Sequence, residues 1–436
     1  MGQILLIERS MPGSRKSPRR FFTPLRRVQC WFRPIRVRLG VLDWIAIVLL
    51  ALGLIFLATG WLPSSDAHAV WRRIYPLLIF LATVVVLAEL TMAAGLFDLV
   101  ARRLAIAARG NFAALFGLCV AFAAATTIGL NLDTTAVLLT PVMLALARAL
   151  KVPPLPIAMC TVWLANTASL LLPVSNLTNL LAADRVAQAL HLKTLAPTDF
   201  AARTGLAQAA ALLVTGVALW VFYWRRGQRG AERYEPPAPF EPDDPWLLRV
   251  AGLACLFFIA VVLVNALPLA GTSSIAAGAV LIAFLIRGRG KLRWSLIPWR
   301  LPVFVTGLFF VVQTISIHLL RPVMSALIGS DPGPAGVFRA AATGAGLANL
   351  VNNLPAYYAG EAAVIQVPHH TQMLLGLLIG VNVGPLITPW ASLATLIWYD
   401  RCTMSGVKVP LRKFMLTGAG VAVTGIILSV AALLWG

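Results

Sequence analysis

The sequence predicts an all-α polytopic membrane protein built from two inverted repeats, each with a re-entrant helical hairpin and a broken transmembrane helix. Three observations lead to this fold class. Hydrophobic residues make up 59% of the 436 residues and charged residues only 12%, which is typical of a polytopic membrane protein and not of a soluble domain. One apolar motif occurs twice, about half a chain apart. The Lys and Arg residues separate between two sides of a membrane when each half contains a hairpin.

The repeated motif is apolar but interrupted by Pro and by small polar residues. It reads N-T-A-S-L-L-L-P-V-S-N-L-T-N-L-L at 166–181 and N-V-G-P-L-I-T-P-W-A-S-L-A-T-L-I at 382–397, so that Asn166 falls on Asn382 and Pro173 on Pro389 at one constant offset. Interrupted segments at matching places in two halves are typical of a transporter's binding site, because broken backbone at membrane depth must be buried or line a cavity. The alternative is a pair of Pro-kinked helices without a ligand.

The first half begins with a basic tail. Residues 1–38 contain ten Lys and Arg residues, which predicts a cytoplasmic segment in contact with anionic lipid. The first membrane repeat is predicted over 39–224, with spans at about 39–62, 75–99, 155–182 and 205–224. The apolar segment 111–150 has a polar centre at 126–135, and could form two crossings or one hairpin. Basic residues at both of its ends favour the hairpin.

The second half follows a hydrophilic segment. Residues 225–245 are rich in charge and Pro, which predicts a flexible cytoplasmic linker. The second membrane repeat is predicted over 246–436, with spans at about 246–266, 272–286, 301–320, 373–398 and 414–435. A second hairpin is predicted at about 335–367. In its centre Asn349-Leu350 falls on Asn131-Leu132, at nearly the same offset as the repeated motif.

The distribution of positive charge supports this topology. With a cytoplasmic N-terminus and two hairpins, seven of the 36 Lys and Arg residues lie outside, and the other 29 lie inside. Cytoplasmic loops carry an excess of Lys and Arg in membrane proteins. The same assignment makes the two halves inverted copies. We therefore expect a multi-pass protein of the cell membrane.

Asp133, in the centre of the first hairpin, is the strongest candidate for a functional residue. A carboxylate at membrane depth is costly and usually faces a cavity where it has a function. We expect Asp133 to bind the solute or to carry a coupling proton, with Asn131 and Thr134 beside it. The alternative is that Asp133 caps the outgoing arm of the hairpin. Glu89, which shares the second predicted span with Asp98, is the other candidate for proton coupling.

The other candidates for solute or ion binding are amides and hydroxyls, which can each donate and accept hydrogen bonds. They could equally repair unwound backbone or hold helices together. They lie at the second hairpin and in the two broken segments: Asn166, Ser169, Ser175, Asn176, Asn179, Asn352, Asn353, Asn382, Thr388 and Ser392.

Several classes of protein are disfavoured. The sequence contains no phosphate-binding loop, no Ser/His/Asp set and no H-E-x-x-H motif, so we expect neither an enzyme nor a cofactor. The five Cys residues are scattered and no His stands at metal-ligand spacing to them, so we expect no metal site. The net charge of +20 lies in the tail and in short loops. It therefore indicates membrane topology and not nucleic-acid binding.

Four segments resemble the signature segments of the arsenite efflux permeases: 131–141, 166–179, 351–355 and 382–398. These permeases belong to the ion transporter superfamily, which also contains the divalent-anion/sodium symporters. The resemblance covers about 39–435. It implies two helical hairpins and two unwound helices around a central site, and extrusion of trivalent arsenic or antimony in exchange for protons, alone or with an ATPase subunit. It places Asp133 on the family's hairpin aspartate and Asn352-Asn353 on its paired asparagines. Asn166 and Asn382 stand where that family has aspartates.

We therefore expect a secondary transporter that exports arsenite- or antimonite-type hydroxides, coupled to protons. Its partners would be a small inorganic solute, a coupling ion and the lipid bilayer. An ion-coupled transporter of another small inorganic or organic anion is the alternative within this class, and a channel or a membrane scaffold is the alternative from another class. An ATPase subunit and a homo-oligomer both remain open.

Overall fold

A computed structural model describes residues 41–225, 233–236, 238–264, 266–292, 296, 299–315, 317–318 and 321–436. The predicted basic tail lies outside these residues. Within them the regular structure is helical, apart from one bridge between Asn111 and Arg233. The predicted all-α class is confirmed.

The first half, from 41 to 225, contains nine α-helices, with π-helical turns at Thr135–Leu139 and Trp220–Trp224. The helices are α1 (Val41–Ala58), α2 (Ser64–Ala93), α3 (Leu96–Ala107), α4 (Phe112–Gly129), the single turn α5 (Leu132–Thr134), α6 (Thr140–Ala149), α7 (Pro154–Thr167), α8 (Leu177–Ala189) and α9 (Pro197–Leu219).

The described part of the second half contains nine more. They are α10 (Pro245–Leu263), α11 (Leu269–Arg287), α12 (Arg300–Ile315), α13 (Arg321–Ile328), α14 (Pro334–Val351), α15 (Asn353–Val364), α16 (Thr371–Val383), α17 (Leu393–Met404) and α18 (Leu411–Trp435).

Five helical segments in the described part of the chain are long and apolar enough to cross a membrane. They are α2, α4, α9 with the π-helical turn that follows it, most of α11, and α18. Apolar helices of 10–17 residues lie within α1, α10, α12 and α16. The number and character of these segments agree with the predicted polytopic architecture.

The second predicted span, about 75–99, differs from the observed helix. Helix α2 begins at Ser64 and ends at Ala93, whereas Asp98 lies in the separate helix α3. The chain turns at Gly95, whose φ of 82° is accessible to glycine at little cost. The expectation that Glu89 and Asp98 share one span was therefore wrong. The charged residues Asp98, Arg102 and Arg103 all fall in α3, which is a short helix with three buried apolar residues.

Both polar-centred segments form helical hairpins. Hairpin 1 consists of α4 and, after the tip at Asn131, of α5 and α6; hairpin 2 consists of α14 and α15 with its tip at Asn352. Asn131 and Asn352 each cap the outgoing arm with the side chain. The alignment of Asn349 with Asn131 was wrong by three residues. Asn349 lies inside α14, and the tip residue is Asn352. The shared capping role pairs Asn131 with Asn352.

Both repeated motifs form broken helices. The helical conformation stops between α7 and α8 at 168–176, and between α16 and α17 at 384–392. Pro173 and Pro389 lie inside these gaps, and proline cannot donate the backbone hydrogen bond that a continuous helix needs. Asn176 caps α8 and Ser392 caps α17, again at the offset of the repeated motif. The repeat read from the sequence is thus a repeat of local structure.

The two halves pack on each other in a reciprocal way. Helix α1 lies along α12, α2 lies along α11, and α9 lies along α18. Helix α8 contacts α15 and α16 of the second half, while α17 contacts α6 and α7 of the first half. Two copies related by a twofold axis produce such exchanged contacts. The opposite orientation of the copies in the membrane stays a prediction.

Two aromatic side chains connect the described part of the linker to the first half of the protein. The buried Tyr234 donates its hydroxyl to the Ala105 carbonyl at 2.7 Å, and its ring packs on Phe112. Phe240 lies over Gly95 and under the Arg102 guanidinium. Tyr234 is buried and Phe240 is half-buried, so the two rings attach this part of the linker to the first half. The flexibility of the linker as a whole stays a prediction.

Candidate functional site

The tips of both hairpins and the first residues of α8 and α17, which follow the two breaks, line one cavity, whose empty space of about 570 Å³ includes open solvent. Its polar lining comes from five side chains, and its apolar lining comes from α2, α12, the first break, the starts of α8 and α17 and the hairpin tips. The lining residues are Phe80, Asn131, Leu132, Asp133, Val174, Asn176, Leu177, Phe304, Val305, Asn352, Asn353, Leu354 and Leu393. All five polar ones are predicted site residues.

The tip of hairpin 1 presents Asp133 to this cavity. The Asn131 side chain accepts a hydrogen bond from the Thr134 amide at 2.7 Å, so Asn131 is the cap and the alternative role of Asp133 as a cap is wrong. The buried Asp133 Oδ1 has no hydrogen-bond partner among the described residues. Thr134 points its unpartnered hydroxyl elsewhere, since it does not line the cavity. Asp133 thus lines the cavity with a carboxylate that has one buried, unpartnered oxygen.

The tip of hairpin 2 is held in an unusual backbone conformation. Asn352 has a φ of 117° and a ψ of 154°, a region that residues other than glycine rarely adopt. Its side chain donates to the Trp390 carbonyl at 3.1 Å, and the backbone N–H of Asn353 donates to the Ala391 carbonyl at 2.8 Å. The second broken helix thus holds the tip in place. Such strain persists only where the surroundings enforce it, and it is concentrated at functional sites.

Behind the cavity, the two broken helices are joined by a network of amides. Asn382 donates from Nδ2 to Asn179 Oδ1 at 2.7 Å, and its own Oδ1 accepts from Asn176 Nδ2 at 2.8 Å and from the Thr178 hydroxyl at 2.9 Å. Asn179 donates to the carbonyls of Ser169 and Leu172, which fixes the orientation of its amide. These groups are all buried. The network sets the position of one break relative to the other.

The equivalent contact in the repeat, between Asn166 and Thr395, is longer than the bond between Asn382 and Asn179. Asn166 donates from Nδ2 to the Thr395 hydroxyl at 3.2 Å and to the Val162 carbonyl at 2.9 Å. Its Oδ1 is buried and has no partner in the described part of the chain. Ser392 and Ala394 stand where the first half has Asn176 and Thr178, so the two donors that serve Asn382 have no equivalents here. An unsatisfied buried acceptor costs about 1–3 kcal/mol.

The other predicted site residues support the backbone of the breaks. The Ser175 hydroxyl donates to the Ile128 carbonyl at 2.9 Å and the Thr388 hydroxyl to the Asn349 carbonyl at 3.0 Å, so that each break is tied to its hairpin three residues before the tip. Ser169 donates to the Asn166 carbonyl and Ser392 caps α17. None of these four hydroxyl residues lines the cavity.

Glu89 lies apart from the cavity. It is half-buried in α2 and interacts electrostatically with Arg401 of α17. Its predicted role in proton coupling stays a prediction.

Thr178 and Thr395, which the sequence places among the polar residues of the two broken helices, bind Asn382 and Asn166. Sequence reasoning missed three other residues. Phe80 and Phe304 line the cavity from helices that carry no motif. Glu361, a carboxylate buried in α15, was also missed, because an acidic residue near a helix end is usually exposed to solvent.

Comparison with known families places the chain. A family model described as citrate transporter, CitMHS, matches residues 38–373. This chain belongs to the CitMHS family. The resemblance to ion transporters inferred from the four motifs is thereby confirmed, and the chain is an integral, multi-pass membrane transporter.

Curated relatives of this CitMHS protein carry a different description. An "Arsenical pump membrane protein" of Escherichia coli is 25% identical over 403 residues, covering 86% of this chain and 90% of the relative. The protein of that description from strain K12 is 26% identical over 411 residues, with the same coverage. The one from Yersinia enterocolitica is 25% identical over 422 residues, covering 90% of this chain and 93% of the relative.

A solved structure shares the fold. The YdaH transporter of Alcanivorax borkumensis, described as having an unusual topology, superimposes with a TM-score of 0.52 at 14% identity. The match covers 90% of this CitMHS chain and 97% of the other. At that identity the likeness concerns architecture alone.

Proposed function

We propose that this protein is a proton-coupled secondary transporter that exports small hydroxides of trivalent arsenic or antimony from the cell. One observation carries the proposal: the cavity at the hairpin tips is lined by a carboxylate and four amides, and none of its described lining residues is Lys, Arg or His. The names of the curated relatives support the same substrate class.

The chemistry of the lining suits a neutral hydroxide. The hydroxyl groups of such a solute can donate to the Asp133 carboxylate and accept from the amide groups of the asparagines that line the cavity. A multivalent anion would meet the charge of Asp133 without a cationic side chain to offset it. Buried charges are normally paired.

Proton exchange would occur at Asp133. A proton and a solute that both bind the Asp133 carboxylate compete for it, and such competition couples their movement in opposite directions. No other acidic side chain lines the cavity among the described residues.

A second candidate is a small carboxylate anion, as the family's description suggests. Helices α8, α15 and α17 all begin at the cavity, and helix N-termini favour negative charge. In that case the coupling ion would have to offset Asp133.

The deciding experiment is uptake of trivalent arsenic into inside-out vesicles, with and without an imposed pH gradient. We expect gradient-driven accumulation by the wild type and its loss in Asp133→Asn. Absence of accumulation by a folded wild type would exclude arsenite, and a panel of carboxylate anions would then test the second candidate. Uptake that stops at equilibrium and ignores the gradient would indicate a channel. An Asp133→Asn variant with full activity would indicate that Asp133 has no role in coupling.

Location and partners belong to the same proposal. The excess of Lys and Arg on one side supports a cell-membrane protein with a cytoplasmic N-terminus. Accumulation in vesicles that lack any ATPase subunit would show that the chain acts alone. Its oligomeric state can be measured on the same purified protein.

A further inference from the structure

A dipeptide outside the cavity also occurs twice. Asp184-Arg185 in α8 and Asp400-Arg401 in α17 are related by the same offset as the broken helices themselves. Each Arg lies nine residues after the cap of its helix, Asn176 or Ser392. The second half-helix of each repeat therefore carries a guanidinium at the same distance from the cavity.

In the first of these helices the Arg is held by the opposite hairpin. Arg185 Nε lies 2.7 Å from Glu361 Oε1, and the Glu361 side chain is only 2% exposed. The guanidinium also donates to Gln188 at 2.9 Å, which in turn donates to Asp184 at 2.9 Å. The ion pair is thus fixed within a short chain of hydrogen bonds.

In both helices the ion-pair residue lies at the same distance from the cap residue at the cavity. Glu361 lies nine residues after Asn352, the cap of α15, as Arg185 lies nine residues after Asn176. At 1.5 Å per residue each distance is about 13 Å. Helices α8 and α15 contact each other, and both begin at the cavity. The ion pair therefore connects two helices whose first residues bind at the site.

Hairpin 1 has no such connection. The counterpart of Glu361, nine residues after Asn131, is Thr140, whose hydroxyl donates within its own helix to Ala136 at 2.6 Å. Among the described residues no carboxylate lies within 4.0 Å of the Arg401 side-chain nitrogens, although Glu89 acts on Arg401 electrostatically. The ion pair therefore joins only α8 and hairpin 2, and the internal repeat does not reproduce it at α17 and hairpin 1.

We propose that Arg185 and Glu361 are positioning residues that hold the N-termini of α8 and α15 in register, and thereby keep Asn176, Asn352 and Asn353 in binding geometry. Neither residue touches the solute. Directional contact between a guanidinium and a carboxylate opposes sliding of one helix along the other, in addition to the apolar packing between them. This inference rests on the proposed transport function, but its structural part can be tested without transport.

The test uses Glu361→Gln in the full chain. We expect the KM for trivalent arsenic in inside-out vesicles to rise at least about fivefold, with Vmax changing by less than about twofold. In the purified protein we expect faster hydrogen–deuterium exchange in the peptide 352–358 at the tip of hairpin 2. Asp331→Asn is the matched control, because it removes the exposed ion pair with Arg339 at the start of the same hairpin. It should leave KM, Vmax and exchange unchanged.

A second variant covers loss of folding. Removing one partner of a buried ion pair can prevent folding, whereas replacing both by apolar residues is often neutral. Arg185→Met with Glu361→Met should therefore fold, and should show the same rise in KM and in exchange. A folded variant with wild-type KM and wild-type exchange would overturn the proposal, as would a fall in Vmax alone. If the wild type transports no arsenic, the proposed function fails, and the exchange of 352–358 decides the positioning role by itself.

Discussion

Asn382 donates a hydrogen bond to Asn179 across the two halves of the protein, at 2.7 Å and fully buried. Their repeat counterparts, Asn166 and Thr395, make the equivalent contact, in which Asn166 is the donor, at 3.2 Å. The two breaks are therefore joined by a pair of equivalent bonds between uncharged side chains. In the family that the motifs resemble, aspartates stand at positions 166 and 382.

The first prediction concerns Asn382→Asp. Asn179 Oδ1 faces this position and cannot be exchanged for Nδ2, because Nδ2 is bound to two carbonyls. An ionised carboxylate would face this acceptor, whereas a protonated carboxyl could donate to it. We expect the variant to lose thermal stability between about pH 5 and about pH 8, because stability is present while the carboxyl is protonated and is lost as pH rises. Thermal unfolding in detergent at both pH values measures it.

Asn166→Asp is the matched control. An ionised carboxylate there would face the Val162 carbonyl, but the Thr395 hydroxyl can turn and donate to it. The loss of stability with rising pH should therefore be smaller. If the thermal stability of both variants depended equally on pH, the proposed difference between the surroundings of Asn382 and Asn166 would be wrong.

The second prediction separates coupling from folding at Asp133. Because Oδ1 has no partner within the described residues, Asp133→Asn should change the unfolding free energy by less than about 1 kcal/mol. Asn131→Ala removes a cap and should cost about 1 kcal/mol. Thermal unfolding of the two variants tests this order. A large loss of stability in Asp133→Asn would show that the carboxylate has a structural role.

The third prediction concerns the close approach of α14 and α16. A Cβ on Gly380 would lie 2.0 Å from the Ala341 carbonyl oxygen, and backbone cannot move aside without separating the helices. We expect Gly380→Ala to cost at least about 1–3 kcal/mol and to lower the yield of folded protein. Gly346→Ala in α14 is the control, since a Cβ there meets nothing within 4 Å. It should be neutral or slightly stabilising.

The fourth prediction tests the anchored linker by a double-mutant cycle. A Cβ on Gly95 would lie 2.6 Å from Phe240 Cζ, and the φ of 82° adds strain for any other residue. Gly95→Ala should therefore lose more stability in the wild type than in Phe240→Ala, where only the backbone strain remains. Thermal unfolding of the four proteins gives the coupling. Strict additivity would mean that Phe240 does not pack on Gly95.

Local pattern predicted much of this architecture. The polar residues inside apolar segments located both hairpins and both breaks, and the constant offset between the repeats paired the caps Asn176 and Ser392 correctly. Errors arose where a local signal was ambiguous. Gly95 separates two helices that are apolar enough to read as one, and Asn349 resembles the true tip residue Asn352 in sequence but not in position.

The linker shows what a local pattern omits. Charge and proline predict flexibility, because such a segment buries little apolar surface. Two rings of the described residues, Tyr234 and Phe240, nevertheless contact surfaces that lie more than a hundred residues away in sequence.

The sequence by itself determined that the chain is a helical membrane protein with a duplicated, interrupted motif, because hydropathy and proline act through local backbone chemistry. Only the tertiary structure decided which polar residues share a cavity and which support it from behind. It brought Asp133, Asn176 and Asn353 to one cavity, placed Asn166 and Asn382 in a network between the breaks, and joined Arg185 to Glu361. These contacts connect residues of opposite halves. Their distances depend on how the helices pack, which no local pattern records.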